Sequence, residues 1–551
     1  MGRCTRLSPL LVLATLTTVT RCFSATPVSP KHNVQVPAEN LKAIDNLQPT
    51  SLWNQFAILS SIPRPSKQEG AVLQYIKDFC DVHGLTWKQD AVGNLVVFHP
   101  GTGSGKQAPP VIVQGHVDMV TEKNTDTKHN FETDPILLRP FQKPNKEKWL
   151  GARGTTLGAD NGIGVAAALA LLETPVDSND VLLPPLQALF TVDEETGLTG
   201  ATELDANALG LTGKTIVNLD TEEWPDLYVG CAGGGESTIT LPLKRTDTAA
   251  DATSTLVEIR VEGLLGGHSG LNIHEGRANA ILLCAAATQA ALRQHSDLQM
   301  VSLMGGDKHN AIAREARALL MLSSDNQQQQ RAELEKLVQK CQDDAKEEFG
   351  LLETNLKMSL CDAESKDNTS CKPLDKDSTT RLLSVLMALP HGPIKYSHAM
   401  PDLVETSSNL ASLRTEEDKA SILCSTRSSI ASALEVTRDK LEAIATLSGA
   451  TIERSPRYPG WNPNMDSELL KIAQKLLEER LQRKPGVKAI HAGLECGLLI
   501  EKLGGSGIDA LSFGPTIEGA HSPDECINVD TVPRFFELVQ DILAELAKKR
   551  A

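Results

Sequence analysis

Ala71, Val72, Tyr75, Ile76, Phe79 and Cys80 recur at three- and four-residue intervals and are closed off by Gly84. That spacing lays an apolar stripe along one face of a helix. Ser66 and Glu69 form a capping-box pattern at its start. Three short apolar runs follow, at 95–98, 111–113 and 186–192, with the helix-like NGIGVAAALALLE between the last two. Strands alternating with helices predict an α/β sheet.

The pattern changes after Gly233-Gly234-Gly235. Val257, Ile259 and Val261 alternate with Glu258, Arg260 and Glu262, as in a half-exposed antiparallel strand. A helix over 275–294, a polar run at 326–330 that serves as helix entry or loop, a charged helix over 331–348 and a strand ending near Arg427 complete this region. After Tyr458-Pro459-Gly460-Trp461 the α/β character returns, with a helix over 467–482, a strand near 508–513 and a terminal helix to about 549. The expected organisation is therefore an unstructured linker at 26–46, a split catalytic domain at 47–235 and 458–551 with a mixed sheet flanked by helices, and an inserted α+β domain at 236–457.

At 551 residues, with 40% apolar and 23% charged residues, the chain has the composition of a globular protein and the length for several domains. Its 54 Lys+Arg against 70 Asp+Glu give a net charge of -16, and no local basic patch breaks that balance, which argues against nucleic acid as a partner. The first 25 residues carry Arg3 and Arg6, an apolar stretch over 10–16 and small residues at Cys22, Ser24 and Ala25. They read as a secretory-type leader, with an organellar transit peptide as the alternative because no acid precedes Glu39. Phe23 and Ala25 also resemble a bipartite plastid signal. No other segment approaches the roughly 20 apolar residues of a membrane span. Eleven cysteines become nine if Cys4 and Cys22 leave with the leader, and an odd number cannot all pair internally. Cys80, Cys284 and Cys424 sit among apolar residues and are expected to be buried thiols. Cys361 and Cys371 flank a polar loop and are placed to bridge, and the same loop holds a glycosylation sequon at Asn368.

Candidate chemistry lies in five segments expected at strand ends: Gly115-His116-Val117-Asp118, Gly158-Ala159-Asp160-Asn161-Gly162, Asp193-Glu194-Glu195-Thr196-Gly197, Asn218-Leu219-Asp220, and the run from Gly514 to His521. Carboxyl ends of strands are where open α/β sheets build their sites. Taken singly, the His-x-Asp triplet suits a surface loop, the paired glutamates a solvated face, and Asp160-Asn161-Gly162 a turn or helix cap. Together they supply two imidazoles and several carboxylates, the mixture expected around a hydrolytic pair of zinc or manganese ions. Adjacent acids at a strand end point in different directions, so one can bind metal while the other accepts a proton.

These residues, with ADNGIG, DEETGLTGA, NLDTEE, GGHSGLNIHEGRANA, IHAGLECG and GAHSPDE in that order, resemble the aminoacyl-histidine dipeptidase branch of the co-catalytic zinc aminoacylase and carboxypeptidase superfamily. The resemblance runs from about residue 47 to the terminus. It implies that His116, Asp160 and Asp220 bind one divalent ion and that Asp160, Glu195 and His521 bind another, Zn2+ or alternatively Mn2+ or Co2+. It implies Asp118 as the carboxylate orienting His116, Glu194 as general base, and the inserted domain as a lid whose His268, Asn310 and Arg427 reach the substrate. Read without it, His268 is a turn residue, Asn310 a helix cap and Arg427 a strand-end charge. The implied substrates are dipeptides and short peptides, typically Xaa-His, and the implied assembly is a homodimer formed through the lid. Asp at position 220 is typical of the peptidases, where related deacetylases carry Glu. The competing readings are an amidohydrolase acting on acylated amino acids and a catalytically silent peptide-binding homologue. The amino-terminal extension and the long polar loop over 361–380 depart from the family pattern.

Overall fold

The computed structural model describes residues 34–246, 255–322, 327–363, 372–505 and 507–549. The leader, Asn368 and Cys371 lie outside the described residues, and with Cys371 the expected bridge; Cys361 itself carries a free thiol. Cys80, Cys284 and Cys424 are buried thiols as expected.

Apolar runs stack into a mixed eight-stranded sheet in the order Thr86–Gln89, Leu95–His99, Leu186–Thr191, Val111–His116, Thr215–Asn218, Asp509–Ser512, Leu227–Cys231 and Val487–Ile490. Val111–His116 runs parallel to both Leu186–Thr191 and Thr215–Asn218, so the carboxyl ends of these three strands open on one side. The helix Ala159–Leu172 is buried over almost its whole length, which accounts for its apolar residues on every face. Residues from both sides of the insertion, from Ala43 to Cys231 and from Trp461 to Leu546, share one hydrophobic core. A second core, from Ile239 to Ala445, lies under a nine-stranded antiparallel sheet. The α/β fold with a split catalytic domain and an inserted α+β domain is thus present.

Several local expectations are corrected. The stretch expected to be an unstructured linker holds a helix, Ala38–Ala43, because Asn40 turns inward: its amide donates to Ile136 O at 2.9 Å and its Oδ1 accepts from Leu138 N at 2.9 Å. The capping box does not form. The helix Gly70–His83 has no side-chain cap; Ser66 Oγ instead donates to Asp118 Oδ2 at 2.8 Å, and Glu69 Oε1 accepts from the amides of Lys67 and Asp193. The helix expected over 275–294 begins at Ala280, where Asn279 caps the amides of Ile281 and Leu282. The charged helix is longer than expected, Gln327–Phe349, and the terminal one stops at Leu546. In Leu256–Glu262 the alternation breaks at Glu258, which is buried with Arg260 Nη2 at 2.7 Å. A four-stranded sheet of Ile517–Glu518, Cys526–Asn528, Lys148–Ala152 and Leu138–Gln142 joins the two parts of the split domain; its short mixed strands gave no apolar run to read. No helix among the described residues is long and apolar enough to cross a membrane.

Candidate metal centre

His116 closes the strand Val111–His116 and is buried. Its Nε2 lies 3.0 Å from Asp160 Oδ1 and 3.3 Å from Asp220 Oδ1, while Nδ1 faces Asp118 Oδ1 at 3.3 Å. On the other side, His521 Nε2 lies 3.2 Å from Asp160 Oδ2 and 3.0 Å from Glu195 Oε2. The two oxygens of Asp160 therefore face the two imidazoles. The ligand atoms of His116, Asp160 and Asp220, and those of Asp160, Glu195 and His521, each lie within 4.8 Å of one another. The two groups coincide with the sets that the resemblance implied.

His116 ends its strand, Asp220 and Glu195 lie shortly beyond the strands Thr215–Asn218 and Leu186–Thr191, and His521 follows the short strand Ile517–Glu518. Asp160 departs from the strand-end expectation: it lies where the segment Ala159–Leu172 begins, at a kink where Asp160 (φ -78°, ψ 115°) and Asn161 (φ -101°, ψ 31°) are not helical. Glu525 holds this turn. Its buried carboxylate accepts from four successive amides, Leu157, Gly158, Ala159 and Asp160, at 2.7–3.3 Å, a nest of backbone donors leading into the helix. Arg64, fully buried, donates to the carbonyls of Val117, Asp118 and Gly158 and so ties the His116 loop to the Asp160 turn. Asn161 Nδ2 donates to Leu219 O at 2.7 Å beside Asp220. A Cβ on Gly115 would stand 2.2 Å from Asn161 Oδ1, so a larger residue before His116 would displace the Asn161 side chain. Replacing Glu525 by Ala leaves those buried amides without an acceptor, and at about 1–3 kcal/mol for each unsatisfied group the expected result is a loss of about 3 kcal/mol or more. Thermal unfolding of Glu525→Ala measures it; an unfolding temperature equal to that of the wild type would contradict this anchoring.

Asp118 binds the acid pair to the imidazole. Besides facing His116, it accepts from Glu194 N at 3.1 Å and Glu195 N at 3.2 Å. Burial works against its charge, but the hydrogen bond and charge of His116 outweigh it and bring the carboxyl down to about 2. Burial pushes Asp220 up to about 7, with Asp160 and Glu195 adding to the rise. Glu194 is raised well above the usual carboxylate range by burial and by the nearby charges of Asp220, Glu195 and Glu495. Hydrogen bonds to Asp160 and Glu195 lift His521 to about 11. Burial opposes a charged His116, yet Asp220, Asp118 and Asp160 raise it well above its ordinary value.

The residues fit a pair of divalent cations. Three ligand atoms converge on one side of Asp160, and one imidazole proton cannot serve both carboxylates there. Glu195 Oε1 and Asp220 Oδ1 are buried without a hydrogen bond. The negative charge that lifts both imidazoles is charge that cations would neutralise, leaving the rings neutral as ligation requires. Two further groups lie close by: His116 with Glu194 and Glu195, which shares His116 and Glu195 with the first two, and Glu69, Asp118 and Asp193, already filled by protein donors, Asp193 accepting from the hydroxyls of Thr196 and Thr199.

In the inserted domain, His268 and Arg427 come together. His268 is brought down to about 4 by burial and by the charges of Arg427, His309 and His521. Asn310 joins this cluster through its carbonyl, which accepts from Ser269 N at 2.8 Å. The sequence reading missed Arg64, Ser66, Glu69, Asn161 and Glu525, and it missed Glu495, whose buried Oε2 accepts from Gln114 and Thr191 beneath the site. Asn161, Glu495 and Glu525 lie inside motifs already singled out, Ser66 and Glu69 had been read as a helix cap, and Arg64 carried no signal.

The profile of Peptidase family M20/M25/M40 matches residues 112–545. The cytosol non-specific dipeptidase of Escherichia coli (strain K12) is 36% identical over 509 residues, covering 92% of this chain and 100% of the relative. The crystal structure of aminoacylhistidine dipeptidase from Vibrio alginolyticus matches with a TM-score of 0.79 at 37% identity, covering 91% of this chain and 98% of that one. A tripeptidase from Staphylococcus aureus shares the fold at 16% identity, with a TM-score of 0.53 and coverage of 91% and 100%.

Proposed function

The chain belongs to peptidase family M20/M25/M40, and on that premise we propose that it is a metallodipeptidase hydrolysing dipeptides and short peptides, Xaa-His dipeptides among them. The observation that carries this reading is Asp160, whose two oxygens serve both candidate ligand groups. His116, Asp160 and Asp220 would hold one divalent ion and Asp160, Glu195 and His521 the other, with Zn2+ the expected metal. When bound, such a pair polarises the scissile carbonyl and makes water acidic enough to attack it near neutral pH.

The chain's own side chains do the rest. Glu194 takes up the proton of the attacking water at its carboxylate and passes it to the leaving amine; burial gives that carboxyl the raised proton affinity such exchange needs. Asp118 orients His116 through Nδ1 and holds the amides of Glu194 and Glu195. His268 and Asn310 reach the peptide from the inserted domain, and Arg427 receives its terminal carboxylate. The inserted domain also forms the contact of a homodimer.

Purified protein assayed on a panel of dipeptides and N-acyl amino acids, with and without added divalent metal, tests the reading. Metal-dependent cleavage of dipeptides is expected; hydrolysis of the acyl compounds alone, or of nothing, would overturn it. The leader over residues 1–25 belongs to the same proposal. Amino-terminal sequencing of native protein should begin close to Ser24 or Ala25, and Met1 or Gly2 as the dominant terminus would refute it.

A further inference from the structure

Arg427 is only 7% exposed, yet no carboxylate among the described residues pairs with it. Its Nη1 donates to Tyr458 Oη at 3.0 Å and its Nε to Ser269 Oγ at 3.4 Å. The neighbouring imidazoles bring no counter-charge: burial, reinforced by the guanidinium, holds His268 near 4 and His491 near 3, so both are neutral. A buried cation without an anion is costly unless a ligand supplies one.

The placement of Tyr458 is specific. Arg427 pairs with Gly234 in the antiparallel register of Lys419–Ser428 against Gly233–Pro242. On its other edge Gly234 exchanges both backbone hydrogen bonds with Tyr458, at 3.0 and 3.1 Å. A Cβ on Gly234 would stand 2.5 Å from Tyr458 Oη, and one on Gly233 would stand 2.4 Å from Gly460 N. The glycine run therefore clears a path for the Tyr458 ring to cross the strand and reach Arg427. Burial raises the phenol's pKa, so its proton stays on. The oxygen accepts from Arg427, and its own proton has no acceptor among the described residues.

We infer that Tyr458 is a substrate-binding residue, donating its hydroxyl proton beside Arg427 to the peptide's terminal carboxylate, so that the two together select peptides with a free α-carboxyl group. This rests on the proposed dipeptidase reading. Tyr458, singled out in the sequence only as part of a domain boundary, thereby joins the second part of the split domain to recognition by the inserted one.

The test measures kcat and KM separately on the metal-loaded full chain, with one dipeptide as the free acid and as its carboxamide. Tyr458→Phe should raise KM for the acid about tenfold, the worth of a charge-assisted hydrogen bond, leave kcat within about twofold, and raise KM for the amide by a clearly smaller factor, because the carboxamide oxygen accepts only a neutral hydrogen bond. Arg427→Lys runs in parallel and should also lose preference for the acid. If Tyr458→Phe affects acid and amide by the same factor, or neither, while Arg427→Lys discriminates, the inference about Tyr458 falls and the dipeptidase reading stands. If Arg427→Lys does not discriminate either, the carboxylate assignment of Arg427 falls with it. A misfolded fraction would lower the rate on both substrates alike, so the amide arm keeps the result interpretable.

Discussion

Glu194→Gln will keep its metal and its affinity for peptide and lose its turnover. Gln has nearly the shape of Glu and cannot take up a proton, and a positioned general base commonly contributes about 10²–10⁴-fold. The rate should fall by at least that order. Glu195→Gln should instead lose metal, because a neutral amide is a poorer ligand for a divalent cation and Glu195 Oε2 lies 3.0 Å from His521 within the candidate site. Asp118 holds both backbone amides of the pair, so neither substitution should move the other side chain far. Steady-state kinetics with metal analysis on both variants separates the roles: similar loss of rate, opposite occupancy. Turnover above about a tenth of the wild-type value in fully loaded Glu194→Gln, well short of a general base's contribution, would end the assignment.

Asp160→Ala should have the largest effect on metal content of any single substitution. One carboxylate faces both imidazoles, with Oδ1 at 3.0 Å from His116 and Oδ2 at 3.2 Å from His521, so its removal takes a ligand from two ions at once. Asp220→Ala removes a ligand from one side alone and should leave more metal bound. Elemental analysis of protein purified without chelators checks the ranking; full occupancy in Asp160→Ala would contradict the shared position.

Much of this site was legible in the sequence because apolar runs ended on it. Val111–His116 and Leu186–Thr191 read as apolar runs closing on histidine or acid, Asn218-Leu219-Asp220 was placed at a strand end, and parallel pairing brings such ends together. Which carboxylate faces which imidazole was not in the spacing; the family resemblance alone supplied that division. The supports were hidden for a different reason. Glu525 reaches amides some 365 residues earlier in the chain, and Arg64 clasps carbonyls 53 and 94 residues away, contacts that leave no local periodicity. Ser66 and Glu69 misled because the capping-box pattern is local, whereas Asp118 and the Asp193 amide draw these side chains away from the helix end. Asn40 folded part of the presumed linker by a contact with Ile136 across the chain. Arg427 read as a strand-end charge or a substrate contact, and its link to Tyr458 depended on a glycine whose missing side chain only the packed strands explain.

If two divalent cations share Asp160, anomalous diffraction from crystals of the metal-loaded protein should show two peaks about 3.5–4 Å apart, one among His116, Asp160 and Asp220 and the other among Asp160, Glu195 and His521. A single peak at full loading, or two peaks with no carboxylate of Asp160 between them, would contradict that sharing.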